Sequence, residues 1–299
     1  MPDVTISIPA TSANLGPGYD ALGIALNLRH RVTFNRLPSP EIRITAAGED
    51  AHCIPRDASN LVYRSMCLVF DKVGGAPPGL FIHQQNEIPI ASGLGSSSSA
   101  VLAGMFGANE LAGRPLSRAE ILQMATNLEG HPDNVAPAVY GGLVLGVQHE
   151  GALLVEQIPV PPLKVVIVLP NFALATDDAR AVLPRELSMA DAIFNSSRLG
   201  LLIRALEAGD HARLAVAMDD RLHQPYRVPL ISGMAAAIAA ARDAGASGVA
   251  LSGAGPSLIA FAPGGHDAVA AAAAQAFAEA GLGVRSWLLD IDYEGVQIT

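Results

Sequence analysis

The spacing of apolar and polar positions predicts several strands in the first part of the chain, with helices between them. Alternating or continuous apolar positions predict an opening β-meander, with its first strand at a sheet edge, and one further short strand, over residues 3–9, 21–28, 31–46 and 80–84. Apolar residues recurring with a period near 3.6 predict helices over residues 60–73, 98–112 and 118–128. Ser117 and Glu120 have the spacing of a capping box, which predicts Ser117 as the cap of the third helix.

The second part of the chain has a mixed pattern. Apolar runs predict strands over residues 165–170, 248–252, 256–262 and 284–289. Helical spacing predicts two amphipathic helices within residues 188–220 and two further helices over 231–244 and 266–280. The stretch IPVPPLK at residues 158–164 is the best candidate for a linker, because it is rich in proline. We therefore expect two domains, residues 1–158 and 159–299, and the pattern leaves α/β and α+β architectures open.

Composition narrows the class of protein. Of the 299 residues, 50% are hydrophobic and 16% are charged, so the chain can bury a large core and is not expected to be disordered. Its net charge is −9, which makes nucleic acid and anionic membranes poor partners. The two cysteines cannot build a disulfide framework, and neither the N-terminus nor the apolar stretches have the features of a signal peptide or a membrane span. We expect a cytoplasmic protein.

The most informative stretch is PIASGLGSSSSAVLAGMF, residues 89–106. Gly93 and Gly95 allow the backbone to approach a ligand closely, and the predicted helix directs its free N–H groups and positive dipole end toward the same place. Together with the serine hydroxyls, these features favour an anion, usually a phosphate. The stretch lacks the lysine of a Walker A loop and the third glycine of a Rossmann fingerprint. The alternative is a Gly/Ser hinge before an ordinary helix.

Two other glycine-rich stretches carry polar side chains. In PATSANLGPGYDALGIAL, residues 9–26, a tight turn places Asn14 and Asp20 around it, and the alternative is that both side chains only cap the turn. In VALSGAGPSLIAF, residues 249–261, two apolar strands flank a turn with the Ser-Gly-x-Gly-x-Ser spacing that residues 92–97 also have. Three such loops in one chain favour a ligand site over three purely structural turns.

These three stretches, together with EGHPDNVAPAVYGG at residues 129–142, resemble the motifs of the GHMP kinases, the small-molecule kinases named after galactose, homoserine, mevalonate and phosphomevalonate. The resemblance is strongest to the homoserine kinases and keeps the same order from residue 4 to at least residue 261. It implies an α+β GHMP kinase fold with an N-terminal ribosomal-protein-like two-layer domain and a C-terminal ferredoxin-like domain. It also implies ATP in the cleft between the two domains.

The resemblance implies that residues 89–99, here called the Gly-Ser segment, wrap the phosphates of ATP. The residues expected to bind the nucleotide are Pro89, Ile90, Ala91, Ser92, Gly93, Leu94, Gly95, Ser96, Ser97, Ser98 and Ser99. Ser97 and Glu129 are expected to hold Mg²⁺, which prefers hard oxygen ligands together with substrate phosphates. In many GHMP kinases the glutamate stands farther upstream of the HPDN-like element, so the alternative for Glu129 is a surface carboxylate at a helix end.

For the acceptor substrate, the resemblance implies residues from several parts of the chain. The residues expected at its amine and hydroxyl end, which are also the expected catalytic residues, are Asn14, Asp20, His131 and Asn134. The residues expected at its carboxylate end are Arg180 and Arg227, and Thr176, one helical turn before Arg180, could supply a further hydroxyl. Arginine binds carboxylates through two parallel hydrogen bonds, although either arginine taken alone would more often lie on the surface.

Asn134 stands where several sugar and mevalonate kinases have an aspartate as general base. An amide cannot accept a proton at neutral pH, so we expect catalysis mainly by alignment and charge neutralisation, with Asp20 as the weaker candidate for polarising the hydroxyl. The expected reaction is phosphorylation of L-homoserine by ATP and Mg²⁺ in threonine biosynthesis, and a homodimer is an oligomeric state to test. The alternatives are a GHMP kinase for another small alcohol, a silent ATP-binding or regulatory protein, and a structural protein.

Overall fold

The computed structural model describes residues 4–299, which form two β-sheets and the helices packed on them. The first sheet contains β1 (Val4–Ala13), β2 (Leu22–Arg36), β3 (Ile42–Gly48), β4 (Leu80–Asn86), β5 (Leu143–His149), β6 (Ala152–Ile158) and β11 (Gln297–Ile298). The second contains β7 (Lys164–Pro170), β8 (Gly248–Leu251), β9 (Leu258–Phe261) and β10 (Val284–Asp290). The helices are α1 (Leu61–Lys72), α2 (Ser96–Leu111), α3 (Arg118–Glu129), α4 (Val135–Tyr140), α5 (Thr176–Ala181), α6 (Met189–Ala208), α7 (His211–Ala217), α8 (Gln224–Arg227), α9 (Met234–Asp243) and α10 (His266–Glu279). Within residues 4–299, no helix has both the length and the apolar composition needed to cross a membrane.

The first sheet has the order β11-β1-β2-β4-β3, and the β5–β6 hairpin pairs with the start of β2. β3 lies parallel to β4, with Ile42 opposite Leu80. The predicted β-meander is therefore wrong beyond its first hairpin. The predicted strands over 21–28 and the start of 31–46 form the single strand β2, and the returning chain inserts β4 between β2 and β3. The prediction that the first strand lies at a sheet edge is wrong, because β1 pairs with β2 on one side and, at residues 6–7, with β11 on the other. Residue 3, where the predicted strand begins, lies outside the described residues.

A buried arginine on β2 ties the last part of the chain to the first sheet. The guanidinium of Arg29 donates hydrogen bonds to the carboxylate of Asp292 and to the carbonyl oxygen of Gly295. It also donates to the hydroxyl and the carbonyl oxygen of Ser7 on β1. Arg29 and Asp292 are each only 8% exposed, and a buried charge requires a partner. This ion pair fixes the path of the chain after β10 and brings β11 onto β1.

Three apolar clusters fill the interior. The first packs the first sheet against α1–α4 and includes Phe34 and Met66. The second joins the two sheets and is closed by α6 and α7, so that Ile24 of β2 and Ile167 of β7 belong to one core. The third packs the second sheet against α9 and α10. Because one core is shared by both sheets, the loops at their junction are held in fixed relative positions.

The second sheet is antiparallel throughout and has the order β10-β7-β9-β8. With helices after its first and third strands, this 4-1-3-2 order is the ferredoxin-like arrangement that the resemblance implied. Val165 and Ile167 belong to the second cluster, whereas Val166 and Val168 belong to the third. Both faces of β7 are thus buried, which explains why its sequence is a continuous apolar run instead of an alternating one.

Most predicted helices and strands are present, with ends shifted by a few residues. The predicted capping box of α3 is formed by Ser117 and Glu120. α2 begins at Ser96, two residues before its predicted start, because Gly95 with φ 72° ends the loop and the serines form the first helical turn. The sequence pattern missed the β5–β6 hairpin and the short helices α4, α5 and α8. The predicted domain boundary at 158/159 lies between β6 and β7.

Candidate active site

A cleft of about 370 Å³ opens where loops from both sheets meet. It lies between the Gly-Ser segment, the turn at residues 14–20, the segment 128–134, α5 and the β8–β9 turn (residues 252–257). The predicted site residues that line it are Asn14, Asp20, Ala91, Ser92, Gly93, Gly95, Ser96, Ser97, Ser98, Glu129, His131, Asn134, Thr176, Arg180 and Arg227. Residues separated by more than two hundred positions in the sequence therefore surround one space.

Four residues of the Gly-Ser segment do not belong to the lining of this cleft. Leu94 is fully buried in the second apolar cluster, and Pro89 is buried as well. Ser99 is fully buried and donates a hydrogen bond to the carbonyl oxygen of Ser96, while its hydroxyl also lies 3.3 Å from Nδ1 of His30. Ile90 is 37% exposed and faces a second cavity. The buried side chains of Pro89, Leu94 and Ser99 anchor the segment, and Ile90 faces away from the cleft.

The backbone of the Gly-Ser segment is shaped by two glycines. Gly93 and Gly95 have φ values of 79° and 72°, which side chains rarely adopt. A Cβ on Gly95 would lie 2.0 Å from Oγ1 of Thr11. Directly after Gly95, Ser96–Ser98 begin α2 and line the cleft, so the unpaired N–H groups of the first helical turn are available to a bound anion.

The β8–β9 turn packs directly against the Gly-Ser segment. The hydroxyl of Ser252 donates to the carbonyl oxygen of Gly93 at 2.7 Å, and the N–H of Ser257 donates to the carbonyl oxygen of Ser92 at 3.3 Å. A Cβ on Gly93 would lie 2.2 Å from the carbonyl oxygen of Ser252. The two turns can approach this closely only because glycine stands at their contact.

Glu129 ends α3 beside the first turn of α2. Its two carboxylate oxygens accept hydrogen bonds from the hydroxyls of Ser97 and Ser98 at 2.9 and 2.8 Å. One carboxylate and two hydroxyls thus converge beside the first turn of α2, and hard oxygen donors of this kind are what Mg²⁺ prefers. The donor set therefore fits a magnesium ion held together with a phosphate.

Asp20 and Arg180 form a bidentate ion pair across the cleft. The carboxylate oxygens of Asp20 accept from Nη1 and Nη2 of Arg180, both at 2.8 Å, and the hydroxyl of Tyr19 accepts from Nη1 at 2.9 Å. Hydrogen bonding to Asp20 raises the pKa of Arg180. Asn14 fixes the turn, because its Oδ1 accepts from the N–H of Asp20 and its Nδ2 donates to the carbonyl oxygen of Gly253.

Arg227 lies deeper, at the floor of the same region, and is 2% exposed. Its Nε donates to the carbonyl oxygen of Ala179, and its guanidinium lies 5.2 Å from the centre of the Tyr19 ring. Burial lowers the pKa of Arg227. His223, one helical turn earlier, is also buried and its Nε2 lies 2.8 Å from the carbonyl oxygen of Gly16. Both predicted arginines therefore line one cleft, and neither is an ordinary surface residue.

Asp133 is a cleft residue that the sequence interpretation did not select. It is 2% exposed, and its carboxylate contacts Nδ1 of His131 in a short hydrogen bond. Burial lowers the pKa of His131, but the hydrogen bond and charge of Asp133 outweigh burial, and the pKa is raised above 6.5. Asn134 is oriented by Thr11, whose hydroxyl donates to its Oδ1 at 2.8 Å. The position of Asp133 between His131 and Asn134, both predicted site residues, was the signal that could have identified it.

Comparison with known proteins covers the whole chain. The family description "GHMP kinases N terminal domain" matches residues 60–142, and "GHMP kinases C terminal" matches residues 202–281. Curated homoserine kinases are 47% identical in Moorella thermoacetica, over 93% of both chains, and 46% identical in Trichormus variabilis, over 96% of both chains. The crystal structure of homoserine kinase from Cytophaga hutchinsonii has a TM-score of 0.88 and 31% identity, covering 100% of this chain and 98% of that one. With its motifs assembled in one cleft and relatives 46–47% identical over 93–96% of its length, this chain belongs to the GHMP kinases.

Proposed function

We propose that this protein transfers the γ-phosphoryl group of ATP to the hydroxyl of L-homoserine, forming O-phospho-L-homoserine for threonine biosynthesis. The observation that carries the proposal is that the open first turn of α2 and the Asp20–Arg180 pair line the same cleft. One feature suits a phosphate, and the other suits the ammonium and carboxylate of an amino acid. The curated relatives bear the name of this activity and share almost half of their residues with this chain.

The nucleotide is assigned to the Gly-Ser segment. Its glycines let the backbone approach the phosphates, and the N–H groups at the start of α2 donate to phosphate oxygens. Within the described residues, no lysine lines the cleft, so backbone donors and serine hydroxyls carry this contact. A magnesium ion bound together with ATP would neutralise charge on the phosphates. Ser97 and Glu129 would hold it, with the hydroxyl of Ser98 as a third oxygen.

The acceptor is assigned to the opposite side of the cleft. Asp20 and Asn14 would bind the ammonium group, since a carboxylate and an amide oxygen accept hydrogen bonds from a cation. Arg180 and Arg227 would bind the carboxylate, with the hydroxyl of Thr176 nearby on α5. These contacts fix both ends of the amino acid and direct its side-chain hydroxyl toward the phosphates.

Catalysis is assigned mainly to alignment and charge neutralisation. Thr11 holds Oδ1 of Asn134 and leaves the Nδ2 donor of Asn134 for the reacting oxygens. The His131–Asp133 pair adds a second donor, because the raised pKa of His131 favours its protonated form. Fixed donors around a loose phosphoryl-transfer transition state can supply much of the rate without a protein base.

The remaining proposals concern the setting of the reaction. We assign the chain to the cytoplasm and to two domains, residues 1–158 and 159–299, with the reaction in the cleft between them. The second domain returns its last strand, β11, to the sheet of the first. A homodimer is supported by large apolar side chains exposed near the start of α6, namely Leu187, Met189 and Ile193. Light scattering coupled to size exclusion measures the oligomeric state directly.

The proposed reaction is tested by ADP release with a set of candidate acceptors. Purified protein, ATP and Mg²⁺ are combined with L-homoserine, mevalonate, galactose or serine, and ADP is measured by a coupled assay. We expect stimulation by homoserine well above the other three. Stimulation by mevalonate or galactose alone would assign the chain to another alcohol, and no stimulation by any of them would favour a silent nucleotide-binding protein.

A further inference from the structure

The carboxylate of Asp20 binds the guanidinium of Arg180, which the proposed function assigns to the carboxylate of the substrate. Both carboxylate oxygens of Asp20 are bound to Arg180, and Tyr19 accepts a third hydrogen bond from the same guanidinium. The side chains of Asp20 and Arg180 are 31% and 37% exposed, so a ligand in the cleft can reach both. A substrate carboxylate that binds Arg180 in the same bidentate manner must first displace the carboxylate of Asp20.

A displaced Asp20 carboxylate would lie in an acidic environment. One ligand atom each from Asp20, His131 and Asp133 lie within 4.8 Å of one another, and Asp133 is already paired with His131. Two carboxylates this close in a partly buried cleft repel each other unless a cation lies between them or beside them. Among the described residues, the one other guanidinium lining the cleft is that of Arg227, which is buried and donates through Nε to a backbone carbonyl.

Once a ligand carboxylate has displaced Asp20 from Arg180, Asp20 needs another positive charge beside it. The ligand itself can supply that charge. An α-amino acid brings one carboxylate for Arg180 and one ammonium for Asp20, so both members of the broken pair receive a new partner. A hydroxy acid of the same length brings only the carboxylate. It leaves Asp20 with no cation beyond the imidazole of His131, which Asp133 already binds. Leaving one member of a partly desolvated ion pair unpaired costs more than the pair itself contributes.

We propose that Asp20 is a specificity-determining residue that excludes amine-free hydroxy acids by competing with them for Arg180. This inference rests on the proposed function, because it takes Arg180 as the carboxylate-binding residue. It goes beyond amine binding, since it predicts that removing the Asp20 charge improves the binding of a ligand that never contacts Asp20. A protein can gain specificity by disfavouring the wrong ligand as well as by binding the right one.

The test is calorimetric titration of the wild type and of Asp20→Asn with L-homoserine and with 4-hydroxybutyrate. Asparagine tolerates the φ of 55° at this position, and the backbone N–H that donates to Asn14 is unchanged. We expect homoserine to bind Asp20→Asn roughly ten- to a hundredfold more weakly than wild type. We expect 4-hydroxybutyrate to bind it about three- to tenfold more tightly, because the competing pair is partly exposed.

Two further variants make the result specific. Asp20→Gly also removes the charge and suits a positive φ, so it must show the same gain for 4-hydroxybutyrate. Adding Arg180→Leu to Asp20→Asn must abolish that gain. The control is Asp219→Asn, which breaks an exposed ion pair with Arg242 outside the cleft and should leave 4-hydroxybutyrate binding unchanged.

The outcomes separate this inference from the proposed function. If wild type phosphorylates homoserine but neither charge-free variant gains affinity for 4-hydroxybutyrate, the competition is overturned while the kinase assignment stands. If wild type neither binds nor phosphorylates homoserine, the kinase assignment fails, and a gain of 4-hydroxybutyrate affinity in both variants would still support the competition for Arg180.

Discussion

Two turns of this molecule share the spacing Ser-Gly-x-Gly-x-Ser and have different roles. Residues 92–97 lead into α2, and Ser97 at their end is exposed to the cleft. Residues 252–257 join β8 to β9, and both of their serines are fully buried. All four glycines have positive φ values, so the shared spacing describes a shared need for a tightly curved backbone.

The difference between the turns lies in the secondary structure that begins after each of them. A helix after the first turn leaves unpaired N–H groups facing the cleft, whereas a strand after the second turn pairs its backbone with a neighbouring strand. The second turn instead supports the first, through the hydrogen bond from Ser252 to Gly93. Glycine spacing therefore predicts the shape of a loop, and the next secondary-structure element determines whether the loop can bind an anion.

The largest effect is expected at the first turn, for Gly95→Ala. Its Cβ would lie 2.0 Å from Oγ1 of the buried Thr11 at a φ of 72°, so the start of α2 must shift. We expect kcat/KM to fall by roughly a thousandfold, because displacing phosphate donors removes both alignment and charge stabilisation. Steady-state ADP release measures the loss.

The matched change in the second turn is Gly255→Ala. The new Cβ would meet the terminal Cδ1 of Ile231 at 2.8 Å, and φ is 92°, so this variant is also strained. We expect lower thermal stability but a much smaller loss of turnover, since this turn contributes no helix N-terminus to the cleft. Equal losses of turnover would contradict the division of roles between the turns.

The second prediction concerns His30, a buried residue of β2 whose Nδ1 lies 3.3 Å from the hydroxyl of Ser99 in α2. Burial lowers the pKa of His30 to about 4, so between pH 6.5 and 4 the unfolded chain binds a proton that the folded chain does not. Acidification through this window should therefore cost about 3 kcal/mol of unfolding free energy, all of it regained above pH 6.5. Urea unfolding at a series of pH values measures it.

The comparison variants for this prediction are His30→Asn and His83→Asn. Asparagine at position 30 has no titratable group, so the stability of that variant should depend less on pH than the wild type does between pH 6.5 and 4. His83 is partly exposed on β4. The pH dependence of His83→Asn should match that of wild type, and a parallel flattening in both variants would show that the effect does not come from His30.

The third prediction uses the carboxylate beside the first turn. Glu129→Gln keeps a hydrogen-bond acceptor for Ser97 or Ser98 but removes the charge. We expect the Mg²⁺ concentration for half-maximal activity to rise about tenfold, because magnesium prefers a charged oxygen ligand. Glu110→Gln, near the far end of α2, should leave the Mg²⁺ dependence unchanged, and an unchanged dependence in both variants would remove Glu129 from the metal site.

The smallest effect is expected in the second turn, for Ser252→Ala. This variant loses hydrogen bonds to Gly93 and to the hydroxyl of Ser12, so the unfolding free energy should fall by about 1–2 kcal/mol. The KM for ATP should rise roughly two- to fivefold, since the path of Gly93 is loosened. In the described part of the chain, the buried hydroxyl of Ser257 has no hydrogen-bond partner, and Ser257→Ala should leave both quantities nearly unchanged.

The sequence predicted local features better than contacts between distant residues. The capping box of α3 and the apolar run of β7 depend on neighbouring residues and were predicted correctly. The parallel pairing of β3 with β4 was not predicted, because nothing in the sequence of either strand specifies which strand it pairs with. β5 and β6 were missed because several of their residues are exposed and the apolar pattern is therefore weak.

The same limit applies to the site. The individual motifs pointed to most of the cleft residues, since each motif is contiguous. The pairing of Asp20 with Arg180 joins residues 160 positions apart, and the contact of Ser252 with Gly93 joins residues 159 positions apart. Only the fold brings these groups together, so the competition for Arg180 and the support of one turn by the other could not be inferred from the motifs.

The buried pair of Arg29 and Asp292 has a consequence for how the protein is made. The two residues are 263 positions apart, and at about 5–20 residues per second the ribosome takes roughly 13–53 s to add Asp292 after Arg29. During that time the guanidinium of Arg29 lacks the carboxylate of Asp292, and β11, the strand that completes the first sheet, has not yet been synthesised. The first sheet can therefore reach its final form only after the whole second sheet has been synthesised, which couples the assembly of the two halves.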